Sequence, residues 1–302
     1  MIKKKIAVMM IAVLSLLLLF PLATAADAAP GDRIVTLGED LSPQQREELL
    51  NEMEVSEEDE DVTIITVSNE EEHQYLGDYI SASVIGSNAL SSSKITILES
   101  GSGIDVTTNN INWVSEGMYA NALITAGVKD ADIYVTAPFE VSGTGALTGL
   151  IKAYESTMDG VIPEDQKQIA NEELVKTAQL GEEHGNEEAT ELMARIKEAL
   201  AEEDIETTDD LRDLIRRLAD ELGMSLSDED LEGLVSLFDR MREMNIDWDQ
   251  VRSQIDSVRE NISDFIGSEQ GQGIIRAIIN FFNDLLDTVS GWFSSGAILN
   301  RQ

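Results

Sequence analysis

The hydrophobic positions along the chain follow two different patterns, and the change falls near residue 160. Before that point, short β-branched runs alternate with segments whose apolar residues recur every three or four positions, which predicts strands and helices in turn. The predicted strands are 33–37, 62–67, 94–98, 104–108 and 132–136, and the predicted helices are 43–53, 69–79, 115–127 and 144–156. Such a mixture predicts an α/β sandwich on a mixed sheet.

Helix-capping and turn residues support these boundaries. Ser42 has the place of an N-cap, with Pro43 at the first helical position and Gln45 completing a capping box. The other predicted helix ends in this part are the N-caps Asn69 and Ser115 and the C-terminal stop Gly127. The strands 94–98 and 104–108 flank a Gly-Ser-Gly sequence, which predicts a β-hairpin.

The sequence after Pro163 has helical periodicity throughout. Predicted helices cover 164–180, 187–203, 208–222, 228–244, 248–266 and 272–293, with Thr208 and Ser227 as N-caps and Gly223 as a stop. The predicted class is therefore α+β, with an α/β domain at 26–160 on a mixed sheet and an all-helical domain at 161–302.

The last predicted helix, 272–293, has a strongly apolar face. Helices that bind membrane surfaces usually carry Lys and Arg on the polar face, whereas this one has Arg276 against Asp284 and Asp287. We therefore favour packing of this helix onto the domain or against a second copy, which would make a homo-oligomer.

The first 25 residues have the pattern of a secretory signal peptide. Three lysines at 3–5 precede an apolar run at 6–22, and Ala-Thr-Ala at 23–25 or Ala-Asp-Ala at 26–28 supplies a cleavage site. An uncleaved anchor is the alternative, but the run is near the lower limit for a membrane span. We expect a secreted protein with no integral membrane span after cleavage, and the chain has no cysteine to carry a lipid anchor.

The composition narrows the partners that the protein can have. The net charge is −37, and removal of residues 1–25, which contain three lysines and no acid, would make it −40. Such a charge repels nucleic acid and anionic lipid, so partners should be cationic, neutral or bridged by a divalent metal. A large excess of acidic over basic residues is also typical of proteins adapted to high salt. Because cysteine is absent, disulfides, thiolate nucleophiles and Cys-based metal sites are excluded.

Few residues suggest catalysis. The only histidines, His73 and His184, cannot form a two-histidine zinc motif, and no G-x-S-x-G nucleophile sequence occurs. The acidic run at 57–61 offers oxygen ligands for calcium, but a solvated loop is the simpler interpretation. We expect no organic cofactor.

One glycine-rich turn is a candidate ligand site. It follows the strand at 132–136, opens a helix and contains three glycines spaced G-x-G-x-x-x-G at 143, 145 and 149. A strand, a turn and a helix N-terminus together can bind an anion such as a carboxylate, and the turn could also bind a sugar. The alternative is that the glycines only permit a tight turn and close packing. The candidate binding residues are Glu140, Ser142, Gly143, Thr144 and Gly145.

Several sequence blocks are similar to a family of secreted Gram-positive proteins known as domain of unknown function 1002, or YpuA-like. They are GDRIVTLG at 31–38, EHQYLG at 72–77, IGS at 85–87, SSS at 91–93, AGVKDA at 126–131, TAP at 136–138, SGT at 142–144, KAYE at 152–155 and NIDW at 245–248. The resemblance spans nearly the whole chain after the signal peptide. It implies an exported, envelope-associated protein and supplies no catalytic residues.

The leading hypothesis is a non-catalytic binding protein of the Gram-positive cell envelope, secreted or associated with the cell wall. The alternative is an extracellular hydrolase that uses acidic residues near the Gly143 turn, such as Glu140.

Overall fold

The computed structural model describes residues 29–59, 61–157, 161–203, 205–244 and 246–267, with side chains described as far as residue 258. Two predictions, the signal peptide at 1–25 and the amphipathic helix at 272–293, lie outside the described residues.

The described elements confirm the α+β class, with a mixed sheet first and helices after it. The strands are β1 (Arg33–Gly38), β2 (Val62–Val67), β3 (Ser92–Ile97), β4 (Ile104–Thr108) and β5 (Ala131–Thr136). The helices are α1 (Pro43–Glu52), α2 (Asn69–Leu76), α3 (Ala82–Ile85), α4 (Glu116–Thr125), α5 (Thr144–Glu155), α6 (Glu164–His184), α7 (Asn186–Glu202), α8 (Thr208–Glu221), α9 (Asp228–Glu243) and α10 (Trp248–Gly267). The short helix α3 was not predicted.

The predicted hairpin between β3 and β4 is wrong. The strand order is β2-β1-β3-β5-β4, so β5 lies between the two strands, and β3 runs antiparallel to both of its neighbours. Asp130, directly before β5, accepts hydrogen bonds from Gly101 N (3.0 Å) and Gly103 N (2.9 Å) through Oδ1. The two glycines have φ values of +90° and +75° and do make a tight turn. A turn signal alone does not determine whether its flanking strands pair with each other.

Most predicted helix ends are confirmed, and two N-caps are wrong by one residue. Ser68 rather than Asn69 caps α2, since its side chain accepts from Glu71 N. Thr207 rather than Thr208 caps α8, since its side chain accepts a hydrogen bond from Asp210 N. In both cases the residue three positions after the true cap closes a capping box. The confirmed ends are Ser42, Ser115, Ser227, Gly127 and Gly223.

The sheet is covered by helices on both faces. Val35 and Leu37 of β1 pack with the buried residues of α1, while Thr36 faces Gly149 of α5 on the opposite side. The main hydrophobic core continues from Ile34 in β1 through α4 and α5 to Ile255 in α10. The hydrophobic pattern changes near residue 160, but the sheet and the later helices share this core. The division into two domains stays a prediction.

A buried ion pair lies where the two parts meet. Lys197 of α7 and Glu173 of α6 have side chains that are both 0% exposed, with 2.8 Å between Nζ and Oε1. Lys197 Nζ also donates to Asn121 O and Thr125 Oγ1 of α4. These polar contacts join α4 to both α6 and α7.

Candidate functional site

The predicted glycine-rich turn connects β5 to α5 and is held in place by backbone hydrogen bonds. Val141 N donates to Asn110 O (3.0 Å), and Val114 N donates to Ser142 O (3.1 Å). Gly143, the N-cap of α5, has φ +89°, and a Cβ there would lie 2.5 Å from Tyr119 Oη. The buried Tyr119 hydroxyl donates to Gly143 O at 2.5 Å. Glycine is therefore needed at 143 for both conformation and space.

Two cavities meet at this turn and share Ser142 and Val84. The smaller has a volume of about 270 Å³, and its polar lining includes Glu72, Ser87, Asn88, Ser91 and Thr144. The larger has a volume of about 750 Å³ and is lined by Tyr79, Ser81, Asn112, Trp113, Gln179 and Glu182, among others. We call the two together the Ser142 groove. Its size falls in the range of small-molecule sites.

Glu72 is the buried carboxyl group of the smaller cavity. The residue is 3% exposed, and a Cβ on Gly145 would lie 2.1 Å from its Oε1, so the carboxyl group packs directly against the first turn of α5. Asn69 Nδ2 donates to its other oxygen at 3.2 Å. Burial, with a smaller contribution from the negative charge of Asp40, raises the pKa of Glu72 to about 7. The group is thus poised to gain or lose a proton near neutral pH.

The larger cavity adds two aromatic side chains to the groove. Tyr79 and Trp113 both line it. Trp113 Nε1 is buried and donates to no acceptor among the residues that the structure describes. A buried indole N–H normally finds a partner, so this one has a donor to spare for an acceptor that the described residues do not supply.

The structure brings together some of the predicted binding residues and separates one of them. Ser142, Thr144 and Gly145 line the smaller cavity, and Gly143 lies buried behind them. Ser142 Oγ and Thr144 Oγ1 are 3.3 Å apart. Glu140 is exposed and is not part of the lining of either cavity.

Sequence reasoning missed Glu72 and Trp113. The local sequence Glu-Glu-Glu at 70–72 does not set Glu72 apart, but Glu72 lies four residues before Leu76, which is 0% exposed. That spacing puts both residues on one buried face of α2 and could have distinguished Glu72 from its neighbours. Trp113 lies in the loop between β4 and α4, where no hydrophobic periodicity exists from which its burial could be predicted.

The acidic loop proposed for calcium is largely ion-paired. Arg33 pairs with Asp61 at 2.8 Å and Asp59 at 3.5 Å, and Arg46 pairs with Glu57 at 2.7 Å. Within the described ranges, no group of three or more His, Cys, Asp or Glu side chains is placed to hold a metal ion. No helix in that same part of the chain is both long and apolar enough to cross a bilayer.

The fold and the groove define a class of protein, an α+β protein with a polar and aromatic groove beside the junction of β5 and α5. The family model described as "Protein of unknown function (DUF1002)" matches residues 37–258. "Uncharacterized protein YpuA" of Bacillus subtilis (strain 168) is 49% identical over 291 residues, which cover 96% of this chain and 99% of that protein. The chain therefore belongs to the DUF1002 family, which confirms the resemblance seen in the sequence. No solved structure matches it.

Proposed function

We propose that the protein is exported and binds a neutral saccharide of the cell envelope in the Ser142 groove, without catalysis. The signal-peptide pattern of residues 1–25 supports export. The lining and the charge of the Ser142 groove support a neutral saccharide as the ligand.

The observation that carries the proposal is the lining of the groove. Hydroxyl and amide groups line the smaller cavity beside Glu72. Two aromatic side chains line the larger one, and the N–H of one of them, Trp113, has no partner among the described residues. A sugar presents hydroxyl groups at its edge and C–H groups on its faces, and this combination of polar and aromatic groups fits both.

Charge favours a neutral ligand over the carboxylate that the turn alone suggested. Glu72 packs against Gly145 at the start of α5, so an incoming anion would meet a carboxyl group beside the backbone N–H groups of the helix. Glu182 adds a second acid, and the chain as a whole has a charge of −37. Repulsion from these charges disfavours polyanions in the groove.

The test is a pull-down of the purified protein with intact Gram-positive cell walls, with and without a calcium chelator, followed by titration of soluble wall saccharides. W113F keeps an aromatic ring but removes the N–H, and we expect about five- to tenfold weaker binding, the value of one hydrogen bond. W248F is the matched control, because Trp248 packs against the core from α10 and does not line the groove. Equal binding by the two variants, or binding that the chelator abolishes, would contradict a metal-independent groove site.

A second candidate function is an extracellular hydrolase that uses acidic residues near the Gly143 turn. The observation in its favour is the pKa of about 7 for Glu72, which burial produces and which suits a general acid. On this hypothesis, E72Q abolishes release of reducing ends from cell walls, whereas E140Q, on an exposed side chain, does not. No release of reducing ends by the wild type would exclude a glycan hydrolase.

A further inference from the structure

A further cavity, separate from the two that form the Ser142 groove, lies between α2, α5 and α6. Its volume is about 230 Å³, and it is lined by Glu71, Tyr75, Thr148, Lys152, Glu155, Lys167 and other residues. Glu71 and Glu72 are neighbours on α2 and line different cavities. We call this one the Thr148 cavity. Because a cavity of about 150 Å³ can hold benzene, this volume is sufficient for a ligand of amino-acid size.

Two residues that line the Thr148 cavity have buried polar side-chain atoms that lack hydrogen-bond partners. Thr148 is 4% exposed and Asn171 is 1% exposed, and neither Thr148 Oγ1 nor Asn171 Oδ1 has a partner among the described residues. Leaving a buried polar atom unpaired costs about 1–3 kcal/mol, so two in one cavity indicate that something else satisfies them. Asn171 Oδ1 accepts only, so the missing partner must bring a donor.

Two ion pairs form the walls of the same cavity. Lys152 Nζ lies 2.6 Å from Glu71 Oε1, and Lys167 Nζ lies 2.8 Å from Glu155 Oε1. The side chains of Lys152 and Glu71 are 38% and 33% exposed and stand at the mouth, whereas those of Lys167 and Glu155 are 10% and 18% exposed and lie deeper. Positive and negative groups therefore face the cavity in equal number.

The ammonium groups keep hydrogen-bonding capacity for a ligand. An ammonium has three donors, and Lys152 Nζ uses two of them for Thr66 O (2.9 Å) and Glu71 Oε1. The carboxylates of Glu71 and Glu155 have several lone pairs each and can accept from a second cation. A ligand with one positive and one negative group matches this lining, while a ligand with a single charge would leave an unbalanced charge in a partly buried site.

We propose that the Thr148 cavity binds a small zwitterion of the α-amino acid class. The ligand ammonium donates to Asn171 Oδ1 and the acidic walls, and the ligand carboxylate accepts from the lysines. This site does not depend on saccharide binding in the Ser142 groove.

The experiment is calorimetric titration of the full-length mature protein with L-alanine and L-glutamine. N-acetyl-L-alanine, which lacks the ammonium, and L-alaninamide, which lacks the carboxylate, are the matched ligands. We expect saturable binding of at least one free amino acid with a dissociation constant of about 1 mM or tighter, and at least tenfold weaker binding of both blocked forms.

T148V and T190V separate a ligand contact from a structural role. Thr190 Oγ1 is also buried without a partner in the described part, but Thr190 does not line the Thr148 cavity. Both variants remove an unsatisfied hydroxyl, so we expect neither to lower the melting temperature. T148V should weaken amino-acid binding at least fivefold, and T190V and the groove variant W113F should leave it unchanged.

Three results would overturn the proposal. They are no saturable binding of either amino acid, equal binding of the free and blocked forms, and equal binding by T148V and T190V. The first would mean that only water satisfies Thr148 and Asn171. The second would mean that the ligand charges are not recognised, and the third that Thr148 does not contact the ligand. None of them would bear on saccharide binding, which is measured with a different ligand.

Discussion

At the scale of single residues, Glu72 connects the fold to the chemistry of the Ser142 groove. It is buried against Gly145, and its pKa of about 7 arises first from burial and then from the charge of Asp40. Its protonation state therefore sets the charge of the smaller cavity near neutral pH.

The pH dependence of stability should report this group directly. Because its pKa is raised in the folded state from 4.5 to about 7, the folded protein holds the proton more tightly, and the free energy of unfolding falls as the pH rises between these values. We expect E72Q to match the wild type at pH 4.5 and to be more stable at pH 8 by roughly 2–3 kcal/mol. Urea unfolding at the two pH values measures the difference.

E70Q is the control for removal of a negative charge from the same helix. Glu70 is exposed, so E70Q should change stability by less than about 0.5 kcal/mol at either pH. An equal gain for E70Q and E72Q at pH 8 would show that general charge repulsion, and not the burial of Glu72, causes the effect.

A second prediction at the residue scale concerns the buried ion pair of Lys197 and Glu173. K197M leaves Glu173 without its cation in a fully buried site, so we expect a loss of about 3–5 kcal/mol in the free energy of unfolding. The double variant K197M/E173L removes both charges and should recover most of the loss.

R195M on the same helix is the matched control. Arg195 pairs with Glu191, and both side chains are more than a third exposed, so its loss should cost no more than about 1 kcal/mol. Chemical denaturation of the three variants tests this, and a cost for K197M no larger than that for R195M would refute the assigned role.

At the scale of elements, the position of α5 depends on its glycines. Gly145 makes room for the Glu72 carboxyl group, and Gly149 lies against the sheet, where a Cβ would be 2.9 Å from Thr36 Oγ1 and 3.1 Å from Val67 Cγ2. Of the three glycines in the G-x-G-x-x-x-G sequence, the first forms the turn and the other two allow close contacts with α2 and the sheet.

Alanine should have opposite effects at two helical glycines. In G149A the new methyl group meets Thr36, which is held by a buried 2.6 Å hydrogen bond to Ser93, so we expect a loss of about 1–3 kcal/mol. In G233A of α9 the new methyl group meets only the flexible end of Lys176, so the higher helix propensity of alanine should stabilise the protein by about 0.5–1 kcal/mol. Thermal unfolding of both variants checks the signs, and a stabilising G149A would mean that α5 can move away from the sheet.

At the scale of the whole molecule, burial of one shared hydrophobic core has to outweigh the repulsion among many negative charges. The core runs from β1 to α10, while 58 acids against 21 Lys and Arg give the net charge of −37. Self-repulsion of this size destabilises a compact chain and is screened by salt.

We therefore expect salt to stabilise the fold. Between 10 mM and 0.5 M NaCl at pH 8 the melting temperature should rise by about 2–4 °C for each kcal/mol of repulsion that is screened. At pH 4, where many carboxylates are protonated, the rise should be smaller. A melting temperature that stays flat or falls at pH 8, or an equal rise at both pH values, would contradict this explanation.

The sequence by itself determined the elements and the class of this protein. All five strands and most helix ends in the described part follow from signals that act within a few residues, such as period, capping boxes and glycines that need positive φ. The family also follows from local blocks such as those around Gly127 and Gly143.

Only the tertiary structure decided the strand order and the lining of the Ser142 groove and the Thr148 cavity. The insertion of β5 between β3 and β4 separates two strands that are neighbours in sequence, and no local signal encodes it. Glu72 and Gly145, or Thr148 and Asn171, meet only because α2, α5 and α6 pack together. Such contacts join residues far apart in the chain, so they depend on the packing of the whole core, which no short stretch of sequence specifies.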